Sequence, residues 1–321
     1  MRKSAFLLTI ILVFTTLTQA AEPVRRSWLR RLPEGVQLLG DISYVKDGHQ
    51  RQRIDLYLPD KFEKLERPLP VVVWIHGGAW MAGDKRRCPA IWLAAKEKGY
   101  AVASVNYRLS QDAIFPAQIQ DCKAALRWLR ANAAKYHLNP DRIGVWGGSA
   151  GGHLVSLLGV TGGVKEFEGN GGNPKESTRV QAVVDWFGPS DLAALGAHER
   201  RVKQPLSKLL GGLVSENLDK ARRASPLTYV DKKNKIPPFL IMQGDQDKLV
   251  DLSQSEQLAA ALQKAGVEVQ LEILKGAGHG GSAFKEPKRK KQIEAFFEKH
   301  LKKPTAKKKA SAAPEHEKIG T

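Results

Sequence analysis

The sequence predicts an α/β fold, in which a mostly parallel sheet is covered by helices on both faces. Short continuous runs of apolar residues recur along the chain, and such runs are typical of strands buried on both faces. Amphipathic helical patterns separate these runs, and glycine-rich turns follow several of them. Strands that alternate with helices form mostly parallel sheets. A hydrophobic content of 42% in 321 residues is enough for the core of one large domain.

The predicted elements follow one another in a regular order. A hairpin comes first, formed by strands 36–44 and 53–58 around a turn at residues 46–49. The further predicted strands are 70–76, 100–106, 142–146, 180–187, 238–243 and 268–274. The predicted helices are 91–98, 117–136, 253–264 and 290–300, and another helical pattern begins directly after Ser149.

Two stretches interrupt this alternation. Residues 159–175 are rich in glycine and are expected to form a loop. Residues 190–235 are polar and have weak periodicity. Because covers over active sites are often inserted at strand ends, we interpret this second stretch either as a small cap or as a surface excursion.

The two ends of the chain have the composition of segments outside the fold. In residues 1–20, Arg2 and Lys3 precede an apolar run and small residues follow it, which predicts a signal peptide and a secreted or periplasmic protein. The run is shorter than the roughly 20 residues of a membrane-spanning helix, and we expect no later span. Residues 21–35 are then a basic linker, 36–303 the folded domain and 304–321 a disordered tail rich in lysine and alanine.

Charge and cysteine content exclude several classes of function. The net charge is +18, but no nucleic-acid-binding module or interleaved aromatic pattern accompanies it, so we expect no specific nucleic-acid partner. Two cysteines, Cys88 and Cys122, are too few for a disulfide scaffold or a cysteine-rich metal site. We place them on helices on opposite faces of the sheet, too far apart for a disulfide, and expect free thiols.

The motif Gly147-Gly148-Ser149-Ala150-Gly151 lies where a buried strand runs into a helix. It fits Gly-x-Ser-x-Gly, in which the chain reverses so sharply that the serine hydroxyl projects beyond the strand. Glycine–serine runs also form ordinary turns, so the motif alone is not specific. Ser149 is the candidate nucleophile.

A serine nucleophile needs a base and an orienting acid. Asp247 lies in a loop after the strand 238–243, and His279 lies in a glycine-rich loop after the strand 268–274. Ser149, Asp247 and His279 thus occur in the order nucleophile, acid, base. Asp245 is the alternative acid, although an aspartate in such a loop often serves only as a turn or helix cap.

A fourth element is His76-Gly77-Gly78-Ala79-Trp80, directly after the first central strand. Acyl transfer develops negative charge on a carbonyl oxygen, and fixed main-chain N–H groups stabilise that charge. The candidate donors are the amides of Gly77, Gly78 and Ala150. A plain glycine turn is the alternative interpretation.

Taken together, these motifs resemble the α/β-hydrolase superfamily. Within it, residues 36–301 most resemble secreted esterases related to bifunctional acetyl-xylan and feruloyl esterases, and more distantly hormone-sensitive-lipase-like esterases. The motifs that carry the resemblance are Ile75-His76-Gly77-Gly78-Ala79-Trp80, Asn106-Tyr107-Arg108-Leu109, Phe115-Pro116 with Asp121, Gly147-Gly148-Ser149-Ala150-Gly151-Gly152, Gly244-Asp245-Gln246-Asp247 with Val250, and His279.

The resemblance implies a triad of Ser149, Asp247 and His279, an oxyanion hole of Gly77, Gly78 and Ala150, and neither cofactor nor metal. Arg108 and Asp121 match positions that look structural, and we expect an ion pair. Ala79 departs from the third glycine that many relatives carry, which argues against bulky tertiary-alcohol esters. Four aromatic residues near strand ends either line the substrate pocket or pack in the core: Trp80, Tyr107, Trp186 and Phe187.

The predicted function is hydrolysis of carboxylic esters through an acyl-enzyme. The resemblance favours acetyl or feruloyl groups on a polysaccharide, or short-chain esters, as substrates; the oligomeric state is not predicted. One alternative is a serine peptidase of the oligopeptidase kind, for whose large additional domain residues 1–35 leave no room. Another is a non-catalytic carbohydrate-binding protein, which would be expected to lack a triad residue.

Overall fold

A computed structural model of the chain describes residues 32–198 and 202–302. The predicted signal peptide, most of the basic linker, and the tail lie outside the described residues. Within the described part, no helix combines the length and apolarity needed to cross a membrane.

Eight strands form one sheet in the described residues, in the order β1-β2-β4-β3-β5-β6-β7-β8. The pairs β1·β2 and β2·β4 are antiparallel, and the remaining pairs are parallel, which confirms the predicted α/β class. The strands are β1 Val36–Ser43, β2 Arg53–Pro59, β3 Leu69–Ile75, β4 Ala101–Val105, β5 Leu138–Gly148, β6 Ala182–Trp186, β7 Phe239–Gly244 and β8 Val269–Leu274.

Burial across the sheet explains why the central strands read as continuous apolar runs. Every residue of β3, β4, β6 and β7 is buried, because helices cover both faces. The outermost strands β1 and β8 are only partly buried. The helices are α1 Ala117–Ala131, α2 Ala150–Val160, α3 Leu192–His198, α4 Lys203–Leu210, α5 Leu218–Arg223, α6 Leu252–Lys264 and α7 Pro287–Phe297.

Several predicted boundaries differ from the structure. The predicted helix 91–98 is only a short 3₁₀ turn, Ile91–Ala94, and Cys88 lies in the loop before it rather than on a helix. The predicted loop 159–175 begins too early, because Gly159 lies inside α2. A Cβ at Gly159 would come within 2.6 Å of the Phe239 ring, so glycine permits this helix to pack closely on the sheet. Cys88 and Cys122 are free thiols in the structure.

The polar stretch 190–235 carries the short helices α3, α4 and α5. The main-chain N–H of Phe115 donates to the carbonyl of Leu209 at 2.8 Å, which joins this segment to the loop before α1. The His153 ring on α2 lies 2.7 Å from the carbonyl oxygen of Ala224, which joins the segment to the helix after Ser149. That the segment 190–235 covers the substrate stays a prediction.

Buried cations on α1 hold the loop between α2 and β6. The fully buried Lys123 donates to the carbonyl of Thr161 at 2.7 Å and to the carboxylate of Glu168 at 2.9 Å. Arg127 also donates to Glu168, and Arg130 donates to the carbonyl of Ser177 at 2.7 Å. In the sequence these three cations lie at helical spacing, but they cannot be told from ordinary surface charges. The loop is therefore fixed to α1 although it has little regular structure.

Glu168→Gln should destabilise the protein by about 2–3 kcal/mol, because it leaves the buried Lys123 ammonium without its counter-charge. The matched control is Glu166→Gln, two residues earlier, which breaks only an exposed ion pair with Arg223 and should cost at most about 1 kcal/mol. Urea denaturation of both variants measures the free energies of unfolding. Equal losses in the two variants would contradict this role of Glu168.

Candidate active site

Ser149 lies at the turn from β5 into α2 and has a strained backbone, with φ 56° and ψ −122°. The flanking glycines allow this turn because other main chain approaches them closely. A Cβ on Gly147 would be 2.3 Å from the carbonyl oxygen of Gly151, and a Cβ on Gly151 would be 2.1 Å from that of Ile75. The turn presents the Ser149 hydroxyl at the carboxyl end of β5.

The structure brings the three predicted triad residues together. The Ser149 Oγ lies 2.8 Å from Nε2 of His279, and Nδ1 of His279 lies 2.7 Å from Oδ2 of Asp247. A carboxylate only accepts hydrogen bonds, so the His279 proton is on Nδ1 and Nε2 is free to accept the serine proton. This is the geometry that a serine nucleophile and its base require.

Asp247 is a buried carboxylate whose remaining acceptor positions are occupied. Its Oδ1 accepts from the main-chain N–H groups of Leu249 at 2.8 Å and Val250 at 3.0 Å, and its Oδ2 also accepts from Gln243 at 2.9 Å. Burial alone would raise the pKa of Asp247, but the hydrogen bonds from His279 and the two N–H groups outweigh it and lower that pKa below its ordinary value. The carboxylate therefore stays ionised beside the imidazole.

Asp245, the alternative acid, stabilises a turn, as aspartates in such loops often do. Its Oδ1 accepts from the main-chain N–H of Gly276 at 2.7 Å in the loop directly after β7, where the contact is exposed. The geometry thus assigns the contact with His279 to Asp247 and the turn contact to Asp245.

The predicted oxyanion donors lie beside Ser149. A Cβ on Gly77 would be 2.5 Å from the carbonyl oxygen of Gly148 and 3.3 Å from Cβ of Ser149, so the main chain after β3 lies directly against the nucleophile. Gly78 follows with φ +117°. Ala150 is the first residue of α2, where main-chain N–H groups have no carbonyl partner in the helix and the helix dipole is positive.

His76 supports this oxyanion loop. Its Nδ1 lies 2.8 Å from the carbonyl oxygen of Gly77, and its ring stacks on Tyr107 with centroids 4.5 Å apart. The Tyr107 hydroxyl donates to the carbonyl of His76 at 2.9 Å. Burial is the main cause that lowers the pKa of His76 to about 4, so the ring is neutral at neutral pH.

The four aromatic residues near strand ends divide into two groups. Tyr107 is fully buried behind His76, and Trp80 donates through Nε1 to Nδ1 of His153 at 3.2 Å. Trp186 packs in the interior, edge-on to two other tryptophans, Trp74 and Trp146. These contacts favour the core alternative for Trp80, Tyr107 and Trp186.

Phe187 is the member of this set that contacts the triad. Its ring centroid lies 4.6 Å from that of His279, and the Phe284 ring packs edge-on to it with centroids 4.7 Å apart. Its predicted place in a substrate pocket stays a prediction.

Asp185 is a buried acidic residue that sequence reasoning missed, although a single carboxylate inside the apolar strand β6 was a usable signal. It accepts from the Ser156 hydroxyl at 2.6 Å and from the N–H of Gly188 at 2.9 Å. Burial raises the pKa of Asp185 to about 6, against the effect of these hydrogen bonds. Because Ser156 lies on α2, Asp185 ties β6 to the helix after the nucleophile.

The expected ion pair of Arg108 and Asp121 is confirmed. The guanidinium donates to both carboxylate oxygens, at 2.7 Å from Nη2 and 2.9 Å from Nε, and Gln52 donates to the same carboxylate at 2.7 Å.

Across residues 32–198 and 202–302, no group of three or more His, Cys, Asp or Glu side chains could hold a metal ion.

Comparisons with known proteins agree with this architecture. A truncated carbohydrate esterase from the gut microbiota shares 33% sequence identity and a TM-score of 0.73, covering 83% of this chain and 97% of that one. A bifunctional GH43-CE protein of Bacteroides eggerthii shares 38% identity and a TM-score of 0.74, covering 82% of this chain and 35% of its own.

Among curated proteins, Esterase LipQ of Mycobacterium tuberculosis is 31% identical over 265 residues, which are 79% of this chain and 61% of LipQ. The chain spans about half to three-fifths of the length of the first curated relatives that it matches. The sequence pattern of the BD-FAE family matches residues 54–262, which include Ser149 and Asp247. This match extends over more than half of the chain, which therefore belongs to the BD-FAE family, within the α/β-hydrolase superfamily.

Proposed function

We propose that the protein is a serine carboxylic-ester hydrolase that acts through an acyl-enzyme. The observation that carries the proposal is the continuous chain of hydrogen bonds from Ser149 through His279 to Asp247. The names of the relatives, which include esterases and carbohydrate esterases, support the same reaction.

In the proposed first step, Ser149 Oγ attacks the ester carbonyl carbon while its proton passes to Nε2 of His279. The carbonyl oxygen becomes an oxyanion facing the amides of Gly77, Gly78 and Ala150. The tetrahedral adduct then collapses, the bond to the alcohol oxygen breaks, and His279 returns the proton to the leaving alcohol. Water repeats the sequence on the acyl-serine, which releases the acid and restores the serine.

Asp247 serves this cycle as an ionised partner of His279. When the imidazole takes the serine proton it becomes a cation, and the adjacent carboxylate stabilises that cation. The lowered pKa of Asp247 keeps it ionised at the pH at which the histidine works as a base.

For the substrate, we propose acetyl or feruloyl groups on a polysaccharide, with short-chain esters as simple substitutes. Two solved structures with more than 30% identity are described as a carbohydrate esterase and as a bifunctional GH43-CE protein, which supports this substrate class. The composition of residues 1–20 supports action outside the cytoplasm, in the periplasm or the medium.

Ser149→Ala should lower kcat/KM for p-nitrophenyl acetate by about 10⁴-fold or more, because no other group can form the acyl-enzyme. Ser215→Ala, which changes an exposed serine in the 214–216 turn, is the control and should keep wild-type activity. Undiminished hydrolysis by purified Ser149→Ala would overturn the mechanism.

The two aspartates of the β7 loop should differ strongly when each is changed to asparagine. Asp247→Asn removes the charge that stabilises the His279 cation and should lower kcat by about 10²- to 10⁴-fold. Asp245→Asn changes only the turn contact with Gly276 and should alter kcat by less than about 10-fold. Steady-state kinetics on one ester measure both, and a larger loss at Asp245 would reverse the assignment.

A substrate panel distinguishes ester hydrolysis from amide hydrolysis, and action on a polysaccharide from action on a simple ester. We expect acetate release from acetylated xylan or hydrolysis of methyl ferulate, and no cleavage of aminoacyl amides. Chromatography of the released acids and amines measures all three. Preferential amide cleavage would indicate a peptidase, whereas activity on p-nitrophenyl acetate alone would overturn the proposed polysaccharide substrate and leave the esterase mechanism standing.

A further inference from the structure

Arg51 lies behind the oxyanion loop and donates to several of its groups. It comes from the turn between β1 and β2, and its Nε donates to the carbonyl of Tyr107 at 2.9 Å. Its Nη2 lies 3.0 Å from the carbonyl oxygen of Gly83, 3.2 Å from Nε2 of His76 and 3.4 Å from Oδ1 of Asn106. These acceptors are all neutral, so the guanidinium here binds dipoles rather than a carboxylate.

The contact between Arg51 and His76 determines which ring nitrogen of His76 carries the proton. A guanidinium can only donate, so Nε2 of His76 must accept and carries no hydrogen. A neutral imidazole then has its proton on Nδ1, which donates to the carbonyl oxygen of Gly77 at 2.8 Å. The opposite tautomer would place two donors face to face at Nε2 and two acceptors face to face at Nδ1.

The hydrogen bond from His76 fixes the peptide unit that joins Gly77 and Gly78. In a trans peptide the C=O and the following N–H point in opposite directions, so a carbonyl held toward His76 directs the N–H of Gly78 away from it. Gly83 packs closely against both groups, because a Cβ there would come within 2.3 Å of the Gly77 oxygen and within 2.3 Å of Nδ1 of His76. The main chain of Gly83 therefore leaves little room for the imidazole and the Gly77 carbonyl to move apart.

The positive charge of Arg51 is offset near the loop by Asp84. Among residues 32–198 and 202–302, no carboxylate forms an ion pair with Arg51, but the Asp84 carboxylate accepts from Nδ2 of Asn106, whose Oδ1 accepts from Arg51. At His76 the two charges oppose each other, since Arg51 lowers the pKa of the ring and Asp84 raises it. Arg51 therefore acts on the oxyanion loop through its hydrogen bonds rather than through a net positive charge.

We propose that Arg51 is a positioning residue for the oxyanion hole: by donating to Nε2 of His76 it fixes the tautomer that orients the Gly77–Gly78 peptide toward the reacting carbonyl. This inference rests on the proposed esterase function, in which Gly78 is an oxyanion donor. It assigns a role in the reaction to a residue from the first hairpin, almost a hundred positions before the nucleophile in the chain.

The first test compares Arg51→Met with Arg142→Met. Arg142 is also half-buried and donates to two main-chain carbonyls, those of Leu301 and Lys302, so it is a matched control away from the loop. Removal of one oxyanion donor costs about 10²- to 10³-fold in kcat, and misorientation of one donor should cost less. We expect Arg51→Met to lower kcat by roughly 10- to 100-fold with KM changed by less than about 3-fold, and Arg142→Met to resemble wild type.

A trifluoromethyl ketone forms an adduct with the serine that carries an oxyanion. In Arg51→Met, the affinity for this inhibitor should fall by the same factor as kcat/KM. Arg51→Lys keeps the charge and one donor and should retain more activity than Arg51→Met. A kcat for Arg51→Met equal to that of Arg142→Met, or a rise in KM with kcat unchanged, would overturn the proposal. If Arg51→Met does not fold, Arg51→Leu, which also removes the donors, is compared with Arg142→Leu by the same criteria.

The second test does not depend on activity. Nitrogen-15 NMR of the wild-type protein should show His76 as the neutral tautomer protonated on Nδ1, and a proton on Nε2 would overturn the proposal. If the wild-type protein hydrolyses no ester, the proposed function fails, but the NMR measurement of the His76 tautomer still tests whether Arg51 donates to His76. If hydrolysis depends on Ser149 but not on Arg51, only the present inference fails.

Discussion

The close approach of main chain to main chain at the carboxyl ends of β3 and β5 is the constraint on which the candidate site depends. Gly151 lies against the carbonyl of Ile75, and Gly77 lies against the carbonyl of Gly148, so neither contact leaves space for a side chain. The nucleophile and the oxyanion loop are therefore placed against each other by direct contacts of their main chains. Donors fixed before the substrate arrives need no reorganisation as charge develops, which is the condition for strong electrostatic stabilisation.

Three histidines near the candidate site show how the hydrogen-bonding partners of an imidazole determine its role. His279 faces a carboxylate and a hydroxyl, so it can take up a proton and keep it next to a negative charge. His76 faces a guanidinium and a carbonyl, and His153 faces an indole N–H and a carbonyl. Burial lowers the pKa of both His76 and His153 to about 4, so these two rings stay neutral and act as fixed connectors between segments.

Much of the fold and of the triad could be predicted from the sequence, because both depend on local patterns. Continuous apolar runs mark β3, β4, β6 and β7. Gly77 follows β3, Asp247 follows β7, and Ser149 follows β5, whose last residues are also apolar or glycine. Since parallel strands end at the same edge of a sheet, these residues meet without knowledge of any side-chain contact. Boundaries were less predictable, as at Gly159, where packing on Phe239 extends a helix through a residue that ordinarily weakens one.

Long-range polar contacts could not be predicted in this way. Arg51 lies in a polar hairpin turn, and nothing in its neighbours shows that it will reach His76 across the sheet. The burial of Lys123 likewise depends on Glu168 in a loop without periodicity. Such contacts are fixed by the three-dimensional course of the chain, so their residues read in the sequence as ordinary surface charges.

Asp185 makes the stability of the region around the nucleophile depend on proton concentration. Burial raises its pKa to about 6 in the folded chain, compared with 3.8 for an ordinary aspartate, so folding takes up a proton between these two values. The resulting stabilisation, on the order of 3 kcal/mol, is fully present below the unfolded pKa and is lost as the pH rises through the folded pKa. The folded state is therefore favoured by acid through the burial of Asp185 and loses this contribution as the pH approaches neutrality, whereas the hydrogen bonds from Ser156 and Gly188 favour the ionised carboxylate.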